Sequence, residues 1–128
     1  CRAAESGKAA VLLPAALVMQ HNPLPHSWQV TSDTISAWIA QQADSRRLVL
    51  LKSVDGLRCG DKESGAGSLL AELTVQQLAA CGAEVDEYLS RFLPSANLET
   101  WVVNGMYPDR LAGLLKTGQT TGSRIRSN

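Results

Sequence analysis

The residue types best suited to chemistry stand together at Thr31, Ser32 and Asp33. The apolar residues that follow have the spacing of one helical face: Ile35, Trp38 and Ile39. The polar triplet therefore falls at a helix N-terminus, where free backbone N–H groups and partial positive charge suit phosphate oxygens or an ionised Asp33. The same residue types also cap helices that have no further role. The local pattern leaves both interpretations open.

Two further segments, 48–56 and 99–105, each break from a short apolar run into an Asp-Gly or Asn-Gly corner. An open α/β sheet places its ligand loops at such corners, so the two segments predict a small-molecule site. The short apolar runs favour strands that are covered on both faces. Between them, Thr74 and Gln77 form a capping-box pattern, and Gly82 marks the end of the helix that it opens. The predicted order is strand, helix, strand.

The ends of the chain supply further elements. Segment 107–116 predicts a helix with Pro108 near its first turn and Gly118 as its stop, and segment 121–125 predicts a last strand at the sheet edge. The leucines expected to face inward from this helix are Leu111, Leu114 and Leu115. At the front, segment 9–13 predicts a strand. Three prolines in segment 14–28 predict an extended loop without a regular helix.

Length and composition fit one soluble globular domain over residues 1–128, with 45% hydrophobic and 19% charged residues. No apolar run approaches the roughly 20 residues of a membrane span, so we expect no membrane partner. Twelve basic and twelve acidic residues cancel. This balance gives no electrostatic reason to expect a nucleic-acid partner.

The three cysteines are Cys1, Cys59 and Cys81. They form no C-x-x-C pair, and an odd number leaves one over, which argues against a zinc site and against a disulfide framework. No metal-ligating residues are predicted. A reducing cytoplasm is the simpler location for such a chain.

Four segments, taken in order, resemble the later half of the amino acid kinase superfamily: 31–37, 50–57, 103–105 and 121–125. That superfamily includes carbamate, acetylglutamate, aspartate and uridylate kinases. Segment 24–33 is most similar to the branch that phosphorylates aminomethyl-furanmethanol phosphate during methanofuran biosynthesis. The resemblance implies a three-layer α/β/α sandwich with a mainly parallel sheet. It also implies an ATP-dependent kinase of a small carboxylate, amine or phosphate-bearing metabolite that works with Mg²⁺ in a cytoplasmic homo-oligomer.

The resemblance also assigns roles to residues. Asp33 matches an acidic residue that orients catalytic lysines around the transferred phosphoryl group, and Thr31 and Ser32 lie where the acceptor substrate approaches. Segment 52–56 resembles the nucleotide loop Thr-Asp-Val-Asp-Gly, with Lys52 and Ser53 at its first two positions. The ammonium of Lys52 would neutralise phosphate charge, although a lone lysine at a strand end usually points to solvent. The nucleotide-binding residues implied are Ser53, Val54, Asp55, Gly56, Asp61, Asn104 and Gly105.

Two departures from the family pattern imply an incomplete site. Segment 82–94 lacks the lysine of the family's Gly-Met-x-x-Lys helix, and nothing before Ala9 supplies the first Gly-Gly loop with its lysine. We therefore expect a chain that lacks its N-terminal part and transfers phosphate weakly or not at all alone. Asp86 and Glu87 either contact a substrate amine or form a solvated helical face. The alternatives are a non-catalytic nucleotide- or anion-binding or storage module, and a subunit of a larger kinase assembly.

Overall fold

The computed structural model describes residues 7–60, 67–81 and 84–126. In that part of the chain, the helices are α1 (Ala15–His21), α2 (Ser32–Gln42), α3 (Val75–Cys81), α4 (Leu89–Ala96) and α5 (Pro108–Thr117). The strands are β1 (Arg47–Lys52), β2 (Leu57–Cys59), β3 (Ser68–Leu70), β4 (Glu72–Thr74), β5 (Glu99–Asn104) and β6 (Ser123–Arg126).

The main sheet has four strands in the order β1-β5-β6-β4. β1 runs parallel to β5, with Arg47 opposite Glu99 and Lys52 opposite Asn104. β4 also runs parallel to β6, whereas β5 and β6 are antiparallel. β2 and β3 form a separate antiparallel hairpin. The prediction of a mainly parallel sheet is confirmed, and the in-register pairing brings the carboxyl ends of β1 and β5 to one edge.

Helices cover both faces of this sheet. Alternation along β1 directs Leu48 and Leu50 into one core cluster and Val49 against the other. The first cluster packs under α2, α3 and α4, and the second joins Trp101 and Val103 to Leu114 of α5. The predicted three-layer α/β/α sandwich is therefore confirmed. Because β5 is buried over most of its length, it is the rigid centre from which the corner at residues 104–105 emerges.

Several local predictions are confirmed. The N–H of Thr74 donates to Gln77 Oε1 at 2.8 Å and the N–H of Gln77 donates to Thr74 Oγ1 at 3.3 Å, which is the predicted capping box of α3. α5 has its proline in the first turn and ends at Gly118, whose φ of +75° is left-handed. α2 also forms as predicted, with Trp38 buried.

Other local predictions are wrong. Segment 14–28 contains the helix α1, because Pro14 stands at the N-cap, where its missing N–H costs nothing, and the helix ends before Pro23. Segment 9–13 forms no strand and Val11 is 94% exposed, since an extended segment needs a partner strand. Leu115 is exposed, and β6 lies between β5 and β4, not at the sheet edge.

The expectation that no disulfide forms is also wrong. Cys59 and Cys81 are bridged, with their Cα atoms 4.6 Å apart and their positions separated by 22 in the sequence. The bridge joins the end of β2 to the end of α3. The location in a reducing cytoplasm thus loses its support from the cysteines and stays a prediction.

Among the described residues, no helix combines the length and the apolar character needed to cross a bilayer.

Candidate active site

Helix α2 begins against the carboxylate of Asp86, a residue more than fifty positions away in the chain. Asp86 Oδ2 accepts the N–H groups of Thr31 and Thr34, both at 2.9 Å, and the Thr31 hydroxyl at 3.1 Å. Asp86 Oδ1 accepts the Thr34 hydroxyl at 2.5 Å and the N–H of Leu89 at 3.0 Å. The polar start of α2 is therefore capped from another loop and not by Thr31 itself.

Asp86 is ionised in this setting. Burial favours the neutral form of its carboxyl group, but the hydrogen bonds from Thr34 and Thr31 outweigh burial and hold the pKa of Asp86 below its usual value. The negative charge lies at the N-terminus of α2, where the helix dipole stabilises it.

Asp33 and Lys52 form an ion pair beside this cap. Asp33 is only 4% exposed, and its Oδ2 accepts a hydrogen bond from Lys52 Nζ at 2.7 Å and another from the N–H of Asp86 at 3.1 Å. Lys52 is the last residue of β1 and is partly buried. It therefore does not simply point to solvent, and the two side chains predicted as catalytic are in direct contact.

A cavity of about 450 Å³ opens over this pair. Thr31 lies on its rim, whereas Ser32 is exposed and is not part of the lining. The remaining wall is aromatic and acidic, and its residues are Trp28, Gln29, Glu84, Val85, Asp86 and Glu87. Among the described residues that line the cavity, Lys52 is the one cation. Because its oxygens are occupied by protein donors, Asp86 does not serve the suggested contact with a substrate amine.

The two predicted corners meet at the same sheet edge. The N–H of Gly105 donates to the Lys52 carbonyl at 2.8 Å, and Asn104 Nδ2 donates to Asp55 Oδ1 at 2.9 Å. Asn104 is buried, and its Oδ1 accepts the N–H of Met106 at 3.0 Å. The corners after β1 and β5 are thus joined through both main chain and side chains, as their parallel pairing dictates.

The remaining predicted nucleotide residues occupy the same turn, with one exception. Ser53 is exposed and Val54 is half-buried. Gly56 is buried with a φ of +152°, which favours glycine. Asp61 lies outside the described residues, so its predicted role is not addressed by the structure.

Sequence reasoning missed Arg110 on α5. Its Nη1 lies 2.6 Å from Asp55 Oδ1, and its guanidinium stacks over the Tyr107 ring at 4.5 Å. Hydrogen bonds from Asn104 and then Arg110 lower the pKa of Asp55, which keeps this exposed carboxylate ionised. The signal in the sequence was the spacing of Tyr107 and Arg110, which places them one helical turn apart next to the corner at residues 104–105.

The model of the amino acid kinase family matches residues 2–108. The chain is similar to the [5-(aminomethyl)furan-3-yl]methyl phosphate kinase of Methanocaldococcus jannaschii, with 32% identity over 115 residues that cover 90% of this chain and 51% of the relative. The chain thus spans about half the length of that curated relative.

Two solved structures share the fold. A UMP kinase from Bacillus anthracis has a TM-score of 0.67 at 20% identity, covering 94% of this chain and 53% of that one. An isopentenyl phosphate kinase from T. acidophilum has a TM-score of 0.52 at 23% identity, covering 73% of this chain and 38% of that one.

Proposed function

The chain belongs to the amino acid kinase family, and from that premise we propose that it forms the nucleotide-binding later half of an ATP-dependent small-molecule kinase. The observation that carries the proposal is the Asp33–Lys52 ion pair, which faces an open cavity at the carboxyl edge of the parallel strands. Open α/β sheets bind ligands in crevices outside the carboxyl ends of their parallel strands.

Phosphoryl transfer asks for positioned charge more than for covalent chemistry. In this proposal, Lys52 stabilises negative charge on the transferred phosphoryl group, and Asp33 holds its ammonium in place. The buried carboxylate of Asp33 is already occupied by two donors. It therefore acts as an organiser and not as a general base. Thr31, which lines the cavity, and its neighbour Ser32 are proposed to lie on the side from which the acceptor approaches.

The nucleotide lies against the turn of Ser53, Val54, Asp55 and Gly56, which Asn104 and Gly105 brace. Mg²⁺ supplies charge neutralisation between the phosphates when it is bound. Among the residues that the structure describes, no three His, Cys, Asp or Glu side chains are grouped to hold a metal ion.

The acceptor in this proposal is a phosphate monoester. The curated relative is named for a furanmethyl phosphate, and the two solved structures are named for UMP and for isopentenyl phosphate. A carboxylate or amine acceptor has no such support. Trp28, at the cavity wall and 99% exposed, offers a flat face for a ring such as furan. We take [5-(aminomethyl)furan-3-yl]methyl phosphate, a metabolite of methanofuran biosynthesis, as the first substrate to test.

The protein as a whole is proposed to contain an N-terminal half that completes the site, and to be a cytoplasmic homo-oligomer. The support is that the relatives are about twice as long and that Lys52 is the one cation among the described residues of the cavity wall. In this proposal the N-terminal half supplies a second cation for the transferred phosphoryl group.

Because Lys52 is the one cation among the described residues of the cavity wall, a second candidate function is a nucleotide- or anion-binding module without transfer. The family pattern has a lysine in segment 82–94, where this chain instead has Glu84, Asp86 and Glu87. Binding would then occur without turnover, either for storage or as a subunit of a kinase assembly.

The experiment that separates these functions is Asp33→Asn in the full-length parent protein. ADP release with ATP and [5-(aminomethyl)furan-3-yl]methyl phosphate measures turnover, and titration calorimetry measures ATP affinity. We expect turnover to fall by about 100-fold or more, as for loss of an electrostatic stabiliser, while ATP affinity is retained.

Asp44→Asn is the matched control, because Asp44 is exposed in a left-handed conformation that Asn tolerates, just beyond the far end of α2. Unchanged turnover in Asp33→Asn would remove Asp33 from the mechanism. Nucleotide binding without turnover in the unmodified protein, with UMP and isopentenyl phosphate also tried, would favour the binding module.

A further inference from the structure

We infer that Asp86 is a positioning residue that fixes the Asp33–Lys52 pair through a reciprocal link between its loop and helix α2. The inference rests on the proposed kinase function for its kinetic consequence, although the link itself is a matter of geometry. Asp86 neither touches the transferred group in this scheme nor binds the acceptor.

The first half of the link runs from the Asp86 side chain to the backbone of α2. Its Oδ2 accepts the N–H groups of Thr31 and Thr34, which would otherwise have no partner within the helix. A charged acceptor makes these bonds stronger than those of a neutral cap. The turn that carries Asp33 therefore has its position set by a residue 53 positions away in the chain.

The second half runs from the Asp86 backbone to the Asp33 side chain. The N–H of Asp86 donates to Asp33 Oδ2 at 3.1 Å, and the same oxygen accepts Lys52 Nζ at 2.7 Å. The donor from the loop and the donor from β1 thus converge on one atom. Loss of the loop donor would let the Asp33 carboxylate rotate and carry the lysine ammonium with it.

A third contact fixes the loop itself. Asp86 Oδ1 accepts the N–H of Leu89 at 3.0 Å, which starts α4, and the hydroxyl of the fully buried Thr34 at 2.5 Å. α4 packs into the main core through Leu89 and Leu93. One carboxylate therefore ties two helix starts together, and the position of Asp33 follows from the packing of both.

The test is Asp86→Asn in the full-length parent protein. Asn has the size of Asp, but it replaces one accepting oxygen with an amide that repels the N–H donors. We expect kcat to fall by about 100-fold, the loss that a misplacement of about 1 Å produces. KM for ATP should stay unchanged, because Asp55 and Asn104 brace the nucleotide corner separately. Asp44→Asn again serves as the control.

A double-mutant cycle distinguishes a positioning role of Asp86 from a merely structural one. If Asp86 acts through Asp33, then Asp86→Asn added to Asp33→Asn causes almost no further loss of kcat. A full second loss in that background would overturn the inference.

A second readout requires no turnover. In protein labelled with ¹³C at lysine, the Cε resonance of Lys52, assigned by its absence in Lys52→Met, should shift in Asp86→Asn and stay in place in Asp44→Asn. An unmoved resonance in folded Asp86→Asn would also overturn the inference. If Asp86→Asn does not fold, Thr34→Val, which removes one hydroxyl donor to Asp86, is measured in its place and must shift the resonance in the same way.

These measurements test the proposed kinase function and the positioning role of Asp86 separately. A parent protein that shows no turnover with any phosphate acceptor contradicts the proposed kinase, while the Lys52 resonance still decides whether Asp86 positions the pair.

Discussion

Both its backbone conformation and the packing around it favour glycine at position 56. A Cβ added there would lie 2.5 Å from Ser123 Oγ. That hydroxyl accepts the N–H of Leu57 at 2.7 Å and donates to the Leu70 carbonyl at 2.5 Å, so it cannot move aside without breaking both bonds. The φ of +152° adds backbone strain for any other residue. We expect Gly56→Ala to lower the free energy of unfolding by about 3 kcal/mol, measured by urea denaturation.

Gly118→Ala is the matched control. Gly118 also has a positive φ, of +75°, but a Cβ there would meet nothing within 4 Å. We expect Gly118→Ala to lower the free energy of unfolding by about 1 kcal/mol, the cost of the left-handed conformation alone. Equal losses in the two variants would show that the contact with Ser123 is unimportant.

At this scale the sequence predicted part of the candidate site. Family resemblance paired Asp33 with a lysine, and the structure places Lys52 against it although 19 residues separate them. Asp86 was not predicted in its observed position, because its role depends on hydrogen bonds to residues 52 to 55 positions away. No local pattern contains such a partner. Ser32 matches the family motif and yet does not line the cavity.

At the scale of elements, the Cys59–Cys81 bridge closes the loop between β2 and α3. A crosslink that closes a loop of this length stabilises the fold by about 3 kcal/mol in the chain-entropy description. Urea unfolding of the oxidised chain and of Cys59→Ser/Cys81→Ser should differ by about that amount. Addition of a phosphine reductant should lower the stability of the original chain and leave the double variant unchanged. A reductant effect on the double variant would contradict this account.

The sequence predicted those elements whose ends are set by residues close to them in the chain. The capping box of α3 and the proline and glycine limits of α5 depend on residues within one or two turns. The three-residue strands β2, β3 and β4 were not predicted, since they are too short to show a period. The position of β6 inside the sheet is set by pairing with β5 and β4, which its own residues do not encode. Segment 9–13 was predicted as a strand from its apolar run, but it has no partner strand and forms none.

At the scale of the whole molecule, this chain should bind nucleotide better than it turns it over. It contains the braced corner that we propose to hold the nucleotide, whereas Lys52 is the one cation among the described residues of the cavity wall. We expect the isolated chain to bind ATP but to release ADP far more slowly than the full-length parent. Calorimetry and a coupled ADP assay on both forms measure this, with mass measurement in solution to record their assembly. Equal turnover by both forms would contradict the need for an N-terminal half.

The N–H of Gly105 donates to the Lys52 carbonyl, and Asn104 Nδ2 donates to Asp55 Oδ1. These hydrogen bonds join the end of β1 and the two loops after β1 and β5 into one unit. Under the proposed function, a triphosphate that reaches this unit would find its groups already arranged, and little conformational entropy would be lost when it binds. Tight retention of spent ADP is the corresponding cost. Under the proposed function, opening of this corner accompanies departure of the product.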